Sequence, residues 1–235
     1  PGHEVLGTRR PEVELRDEAS VRKAIDGSDP DAVILTAGLA NADYCEDHPG
    51  DAYAVNVDGA RRAAEASRGR HFTILSTDYV FDGKAGPYSE EDAPRPLNVY
   101  GNTKVEAERI VRTVHPRSLI VRTALVYDAA PWGHDFLRRL IDAKDPVPCW
   151  TDQTGSPTYG PNFAEAVAEM VTTGQTGTFH VAGSAVVNRH EFALLAARRF
   201  GLDASLLRPV PIREAPPRAQ RPLQAGLRVE KTQAL

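Results

Sequence analysis

The residues best suited to chemistry are a threonine, a tyrosine and a lysine between positions 71 and 104. Tyr100 and Lys104 are four positions apart, so on a helix both side chains project from one face. A free tyrosine titrates near about 10, and an ammonium group within about 4–6 Å would lower that pKa. Such a phenol could exchange a proton with an oxygen that the Thr77 hydroxyl also holds. The three residues therefore predict carbonyl reduction, with the hydride supplied by a cofactor.

Two predicted elements position these side chains. Residues 72–75 form a short apolar run, which indicates a buried strand ending at Ser76, Thr77 and Asp78. A loop rich in Gly and Pro follows, and then apolar residues at helical spacing predict a helix that begins at Tyr100. Open α/β sheets bind their ligands at the carboxyl edge of the strands. The sequence thus predicts a ligand site where this strand ends.

The same region belongs to a set of longer motifs. They are residues 76–83 (STDYVFDG), 96–101 (PLNVYG) and 152–158 (DQTGSPT). Together they resemble the dTDP-4-dehydrorhamnose reductase family, in the extended, sugar-nucleotide branch of the short-chain dehydrogenase/reductase superfamily. The resemblance covers almost the whole chain. It implies NADPH-dependent reduction of the C4 ketone of a nucleotide-linked 6-deoxyhexulose, converting dTDP-4-dehydro-L-rhamnose to dTDP-L-rhamnose.

The resemblance also implies a role for individual residues. Tyr100 would be the acid, Lys104 would lower its pKa and bind the nicotinamide ribose, and Thr77 would hold the carbonyl oxygen. Besides Tyr100 and Lys104, the expected cofactor contacts are Arg9, Arg10, Leu15, Thr36, Ala37, Gly38 and Asn56. The expected substrate contacts are Asp78, Tyr79, Val80, Phe81, Gln153, Ser156 and Arg221.

The cofactor preference is predicted from the start of the chain. Residues 5–8 resemble the second strand of a dinucleotide-binding sheet, and Arg9 and Arg10 follow at once. An acidic residue near this place binds the ribose hydroxyls of NAD, whereas an arginine accommodates the extra phosphate of NADP. We therefore expect NADP(H) to be preferred over NAD(H). The alternative is two solvated arginines on a loop.

The order of elements predicts an α/β fold, a doubly wound, mostly parallel Rossmann-type sheet with a smaller C-terminal substrate lobe. Residues 1–127 and 158–183 would form the dinucleotide-binding domain, and residues 128–157 and 184–235 the substrate lobe. Further buried strands are expected at 31–38, 118–123 and 178–183, and helices at 53–66, 132–143, 161–172 and 190–200. The first strand and its glycine-rich turn are not visible, so we expect a sequence truncated at both ends.

The chain departs from its relatives in one motif. Ala124 and Leu125 stand where the rhamnose reductases carry Ser-Trp, and Asp128 stands where they carry Gly. A stacking surface for the sugar would be lost. One alternative is therefore another nucleotide-sugar reductase or an epimerase. Two others are a non-catalytic NADP-binding regulatory subunit and a protein that binds no cofactor.

The composition argues against other classes of function. A net charge of −4 and a pI near 6.0 give no reason to expect nucleic acid or an anionic membrane as a partner. No apolar run approaches the roughly 18 residues that a membrane span needs. Cys45 and Cys149 lie far apart, which favours two buried free thiols in a reducing cytoplasm. No metal is expected, and a homodimer is expected only from the superfamily.

Overall fold

The computed structural model describes residues 2–128 and 136–235. Its strands are β1 (Ala32–Leu35), β2 (His71–Thr77), β3 (Leu119–Thr123), β4 (Val126–Tyr127), β5 (Val147–Trp150), β6 (Thr154–Gly155), β7 (Thr158–Tyr159), β8 (Gly177–His180), β9 (Val187–Asn188) and β10 (Leu207–Val210). Its α-helices are α1 (Glu18–Ser28), α2 (Ala42–Asp47), α3 (Pro49–Tyr53), α4 (Gly59–Ala66), α5 (Val99–Val114), α6 (Phe136–Ile141), α7 (Gly160–Thr172), α8 (Arg189–Phe200) and α9 (Glu230–Gln233). Short 3-10 turns span Asp78–Val80, Ala204–Leu206 and Ile212–Glu214.

The central sheet is parallel, with strand order β1-β2-β3-β8. Its two faces are covered by different helices because side chains alternate along each strand. Ile120 of β3 packs with α1, α4 and α5, whereas its neighbours Leu119 and Val121 pack with α7. The predicted doubly wound α/β fold is confirmed. Strand β8 pairs with β3, so the chain returns to the central sheet after the segments that separate these two strands.

A second apolar cluster lies outside the sheet. It joins α6 and α8 to the parallel pair of β5 and β10. Cys149 lies in this cluster, and both cysteines are buried and free, as predicted. The segments of this cluster belong to the predicted substrate lobe, whose exact boundaries stay a prediction.

The predicted second strand at residues 5–8 is wrong. No strand is assigned there, and Val5 and Leu6 are 85% and 70% exposed. A strand needs a neighbour that completes its hydrogen-bond ladder, and the described residues place none beside this segment. The strand predicted at 31–38 is shorter and less buried than expected. It forms one edge of the sheet, with Ile34 41% exposed.

The predicted helices agree with the structure in the described residues. A continuous helical segment runs from α3 through a π-helical turn, Ala54–Asp58, into α4, and it covers the predicted helix at 53–66. Helices α7 and α8 match the helices predicted at 161–172 and 190–200. Of the helix predicted at 132–143, α6 covers the described part. Trp132 and His134 lie outside the described residues.

Candidate active site

The end of β2 forms the centre of the site. Thr77 is the last residue of β2, and the 3-10 turn Asp78–Val80 follows it directly. The Thr77 hydroxyl accepts a hydrogen bond from the Tyr79 backbone N–H at 3.2 Å and donates one to the Asp78 Oδ1 atom at 3.1 Å. These bonds fix the hydroxyl at the carboxyl edge of the sheet, where the sequence predicted a ligand site.

Helix α5 begins beside this turn, and Asn98 caps its N-terminus. The Asn98 side chain accepts from the Gly101 N–H at 2.8 Å, as an N-cap does, and donates to the Gln220 carbonyl at 2.7 Å. Gly101 lies so close to the turn that a Cβ atom there would be 2.3 Å from the Tyr79 carbonyl oxygen. This close approach brings Tyr100 to Thr77, with the Tyr79 and Tyr100 rings edge to face at 5.7 Å.

The pKa of Tyr100 is raised, whereas the sequence analysis predicted that it would be lowered. Burial raises the pKa of Tyr100, and its hydrogen bond with the Thr77 hydroxyl opposes that shift. Lys104 has no part in it, because the Nζ atom donates to the Leu75 carbonyl oxygen of β2 at 2.7 Å. The expected lowering of the Tyr100 pKa by Lys104 is therefore wrong for this structure. At neutral pH the phenol keeps its proton.

The Lys104 side chain is buried, and its pKa is shifted. Burial lowers its pKa to about 8, and the negative charge of Glu108, one helical turn further along α5, opposes the shift. Glu108 accepts from the Ser76 hydroxyl at 2.6 Å and forms a buried ion pair with Arg122, whose Nη2 atom lies 2.7 Å from Oε2. This network supports the part of α5 that carries Lys104.

Asp78 and an arginine that the sequence analysis did not single out face each other across the site. Burial raises the pKa of Asp78 to about 7, while the Thr77 hydrogen bond and the positive charge of Arg189 oppose the rise. Arg189 opens α8, its Nε atom donates to the Gln153 Oε1 atom at 3.3 Å, and its guanidinium lies 5.1 Å from the Phe136 ring centroid. No local motif marks it, because its partners come from distant segments.

A cavity of about 450 Å³ opens beside Tyr79. Three arginines line it: Arg139, Arg189 and Arg221. Arg221 is held by the Asp43 carboxylate at 2.9 Å and lies 5.7 Å from the Tyr79 ring centroid. Positive charge beside aromatic and apolar walls suits an anionic group attached to a less polar body.

Leu125 contributes the apolar wall of this cavity. Its φ of 46° lies in the left-handed region, which a bulky residue rarely adopts. The Leu125 carbonyl accepts from the Thr158 N–H at 3.2 Å, and a Cβ atom on Gly155 would lie 2.9 Å from the Leu125 Cδ1 atom. Leu125 is thus held against Thr158 and Gly155. Strain of this kind is typical of ligand sites.

The structure brings together only some of the predicted substrate contacts. Gln153 reaches the site, since it bonds Arg189 and Tyr79. Val80 and Phe81 have no exposed surface and pack in an apolar cluster with Tyr88, and their contact with substrate stays a prediction. Ser156 is also fully buried, and its hydroxyl accepts from the Leu227 N–H at 3.1 Å. The motif alone did not show which of these side chains are buried in the protein interior.

The predicted cofactor residues near β1 form a suitable cradle. Residues 36–38, Thr36, Ala37 and Gly38, are small and exposed at the carboxyl end of the strand, where a ligand can approach the backbone. Leu35 pairs with Ile74, which puts the carbonyl that anchors Lys104 beside this segment. The residues present therefore fit the nicotinamide half of a dinucleotide.

Asn56 braces this cradle from the π-helical turn. Its Oδ1 atom accepts from the Leu39 N–H at 2.7 Å, and its Nδ2 atom donates to the Leu39 carbonyl and to the Thr103 hydroxyl, both at 3.0 Å. A single π turn inside an α-helix is frequent at functional sites. Asn56 therefore links the segment after β1 to the helix that carries Tyr100 and Lys104.

The remaining predicted cofactor residues are Leu15, Arg9 and Arg10. Leu15 is buried in the core against Gly59. Arg9 and Arg10 are exposed, and Arg10 pairs with Glu14 at 3.0 Å. The cofactor contacts of these residues stay predictions. Across residues 2–128 and 136–235 there is no cluster of three or more potential metal ligands, and no helix long and apolar enough to cross a membrane.

A parallel α/β sheet that presents Thr77, Tyr100 and Lys104 at the end of one strand defines a Rossmann-type protein of the short-chain dehydrogenase/reductase class. The family model described as "RmlD substrate binding domain" matches residues 1–235. The chain is 33% identical to the dTDP-4-dehydrorhamnose reductase of Aggregatibacter actinomycetemcomitans, over 98% of this chain and 84% of the relative. The chain belongs to the dTDP-4-dehydrorhamnose reductase family.

Solved structures agree with this assignment. A dTDP-4-dehydrorhamnose reductase from Clostridium acetobutylicum superimposes with a TM-score of 0.90 at 32% identity, covering 97% of this chain and 82% of the other. The Bacillus anthracis enzyme in complex with NADP gives a TM-score of 0.91 at 27% identity, with the same coverage.

Proposed function

We propose that this protein reduces the C4 ketone of a nucleotide-linked 6-deoxyhexulose, dTDP-4-dehydro-L-rhamnose in the first instance, with NADPH as the reductant. The observation that carries the proposal is the convergence of Thr77 and Tyr100 at the carboxyl end of β2, next to the cavity lined by arginines. Names and cofactors of the relatives support it.

The two hydroxyls have distinct tasks in this reaction. Bound NADPH supplies a hydride to the carbonyl carbon. As negative charge develops on the oxygen, the Tyr100 phenol transfers its proton to it, and its raised pKa ensures that the proton is present at neutral pH. The Thr77 hydroxyl would hold the same oxygen in place, and Lys104 would supply a positive charge for the ribose of the cofactor.

The cavity would bind the nucleotide diphosphate part of the substrate. Arg189 and Arg221 would contact the phosphates, because planar guanidinium groups bind phosphate oxygens in pairs. Tyr79 and Gln153 would position the sugar between the phosphates and Thr77. These roles stay proposals at the level of individual residues.

The test is NADPH oxidation by the protein offered freshly prepared dTDP-4-dehydro-6-deoxy-L-hexose, beside a Tyr100→Phe variant. We expect kcat to fall by about 10² to 10⁴ in the variant, the usual contribution of a positioned acid. Tyr53→Phe is a matched control, because Tyr53 is an exposed tyrosine on α3. A Tyr100→Phe variant as active as the wild type would overturn the assignment of the acid.

A different nucleotide-sugar ketone is the second candidate substrate, and Leu125 is the reason. Its side chain supplies an aliphatic wall in the cavity where the family carries the Trp of a Ser-Trp pair. NADPH binding without turnover of the rhamnose precursor, but with turnover of another dTDP-hexulose, would favour this candidate. NADPH binding without turnover of any nucleotide sugar would favour the non-catalytic alternative.

The preference for NADP(H), the homodimer and the cytoplasmic location are also proposed. The NADP complex of the Bacillus anthracis relative supports the first, and the two buried free thiols suit a reducing compartment. The ratio of kcat/KM for NADPH to that for NADH tests the preference. Light scattering on the purified protein tests the dimer.

A further inference from the structure

We propose that Asp78 is a positioning residue whose own protonation decides whether the Thr77 hydroxyl can donate its hydrogen bond to the substrate carbonyl oxygen. The inference rests on the proposed function, since it requires a ketone beside Thr77. It goes beyond that function because it gives the site a pH-dependent control that acts through hydrogen-bond direction.

The argument begins with the hydrogen-bond capacity of Thr77. A hydroxyl has one hydrogen to donate and two positions that accept. One accepting position of Thr77 is taken by the Tyr79 N–H at 3.2 Å, and the hydrogen points to the Asp78 Oδ1 atom at 3.1 Å. An ionised carboxylate can only accept. While Asp78 is charged, therefore, the hydrogen of Thr77 is committed to it.

Protonation of Asp78 reverses the direction of this bond. The carboxylic acid can then donate to the second accepting position of the Thr77 oxygen, once the Tyr100 phenol that bonds the Thr77 hydroxyl has turned to the substrate carbonyl oxygen. The hydrogen of Thr77 is released and can turn to the carbonyl oxygen. That oxygen then has two donors, Thr77 and Tyr100, where it had only Tyr100. Two donors stabilise the developing negative charge better than one.

The surroundings of Asp78 make both protonation states accessible. The side chain is only 5% exposed, and burial favours the neutral acid. Arg189 at the start of α8 favours the charged form, Tyr79 and Tyr100 contribute uncharged phenols, and Arg221 faces the neighbouring Tyr79. The balance puts the pKa of Asp78 at about 7. The two forms thus exchange near physiological pH.

The first experiment is the pH profile of kcat in the wild type and in Asp78→Asn, from about pH 5.5 to 9. The wild type should lose activity as the pH rises through about 7, as Asp78 ionises. In the variant an amide N–H can donate to Thr77 at every pH, so the loss should disappear. Asp203→Asn serves as the control, since Asp203 caps an exposed turn before β10 and should leave the profile unchanged. A loss at the same pH in Asp78→Asn overturns the inference.

A second variant changes the pKa without touching Thr77 or Asp78. Arg189→Gln removes the cation that favours ionised Asp78, so the fall in kcat should move to higher pH. A merely structural role for Asp78 would not move the profile. A profile that stays in place, or moves to lower pH, overturns the inference.

A measurement without substrate separates this inference from the proposed function. In protein labelled with ¹³C at the Asp carboxyl groups, the resonance that disappears in Asp78→Asn should titrate near about 7 in the wild type and higher in Arg189→Gln. A midpoint at the usual value for Asp, near about 4, overturns the inference even if the enzyme turns over. A midpoint near 7 in a protein that reduces no nucleotide sugar overturns the proposed function instead.

Discussion

Two buried carboxyl groups lie near the end of β2, and their surroundings differ sharply. Glu108 is 1% exposed and Asp78 is 5% exposed. Burial alone would raise both pKa values, but Arg122, with Ser76 and Arg112, holds the pKa of Glu108 below its ordinary value. Asp78 has a hydrogen bond from Thr77 and a more distant charge on Arg189, so burial dominates and its pKa rises.

The difference shows that burial does not decide the charge of a carboxyl group; its partners do. Glu108 accepts two bonds from Arg122, at 2.9 and 2.7 Å, and stays ionised as part of the support for α5 and Lys104. Asp78 directly precedes Tyr79, which lines the cavity, and it has no direct cationic partner among the hydrogen bonds described for it. A carboxyl that is left free to titrate beside a ligand cavity indicates function more strongly than one locked in an ion pair.

The largest effect should come from breaking the locked pair. Glu108→Gln leaves the Arg122 guanidinium, 2% exposed, without its buried counter-ion. We expect a loss of about 3–5 kcal/mol in the free energy of unfolding, measured by urea denaturation. The double variant Glu108→Leu/Arg122→Met should recover most of that loss, because apolar residues of similar volume often replace a buried pair without cost. A loss below about 1 kcal/mol in the single variant would mean that the pair does not hold this region together.

The second prediction concerns the pH dependence of stability, where Asp78 should act in the opposite sense to Glu108. The folded state of Asp78 binds a proton more tightly than the unfolded state, so its contribution is full below about pH 4 and is lost as the pH rises to about 7. Between about pH 5 and pH 8 the wild type should lose about 2–3 kcal/mol more than Asp78→Asn. Urea denaturation of both proteins at the two pH values measures the difference.

Glu108 does not interfere with that measurement. Its folded pKa is lowered, so its contribution is present above the unfolded value near 4.5 and is lost only as the pH falls below it. The two carboxyls therefore titrate in separate ranges. Parallel pH dependences for the wild type and Asp78→Asn would show that Asp78 is ionised like an ordinary aspartate.

A smaller effect is expected from the hydrogen bond between Ser76 and Glu108. Ser76→Ala removes a 2.6 Å bond to a buried charged group, which should lower the free energy of unfolding by about 1.5–2 kcal/mol. Ser118→Ala is a matched control, since Ser118 is a buried serine whose hydroxyl has no partner in the described part of the chain. Equal losses in the two variants would assign the effect to cavity formation and not to the bond.

The contrast between the two carboxyls also marks the limit of the sequence predictions. Thr77 at a strand end and Tyr100 with Lys104 on one helix could be predicted, because each depends on local pattern and spacing. The partners of Glu108 and Asp78 could not, since Arg122 and Arg189 reach them only after distant segments pack. The effect of Lys104 on the pKa of Tyr100 was predicted incorrectly for the same reason.

The error at residues 5–8 and the inward packing of Val80 and Phe81 have a similar cause. The strand predicted at residues 5–8 has the right composition, but a strand also requires a neighbour that composition does not reveal. Val80 and Phe81 lie in a motif that carries the site, yet their apolar side chains pack inward. Membership of the motif did not show that these two side chains pack into the protein interior.

The smallest effect should come from the outer partner of Glu108. Arg112 is 47% exposed, lies 3.2 Å from the Oε2 atom of Glu108 and also donates to the Thr178 hydroxyl. Solvent screens its charge, so Arg112→Gln should cost less than about 1 kcal/mol, and added salt should reduce the difference further. Urea denaturation at low and high salt measures both. A loss comparable to that of Glu108→Gln would mean that the outer arginine, and not the buried Arg122, keeps Glu108 ionised, and the contrast with Asp78 would then depend on a solvent-exposed charge.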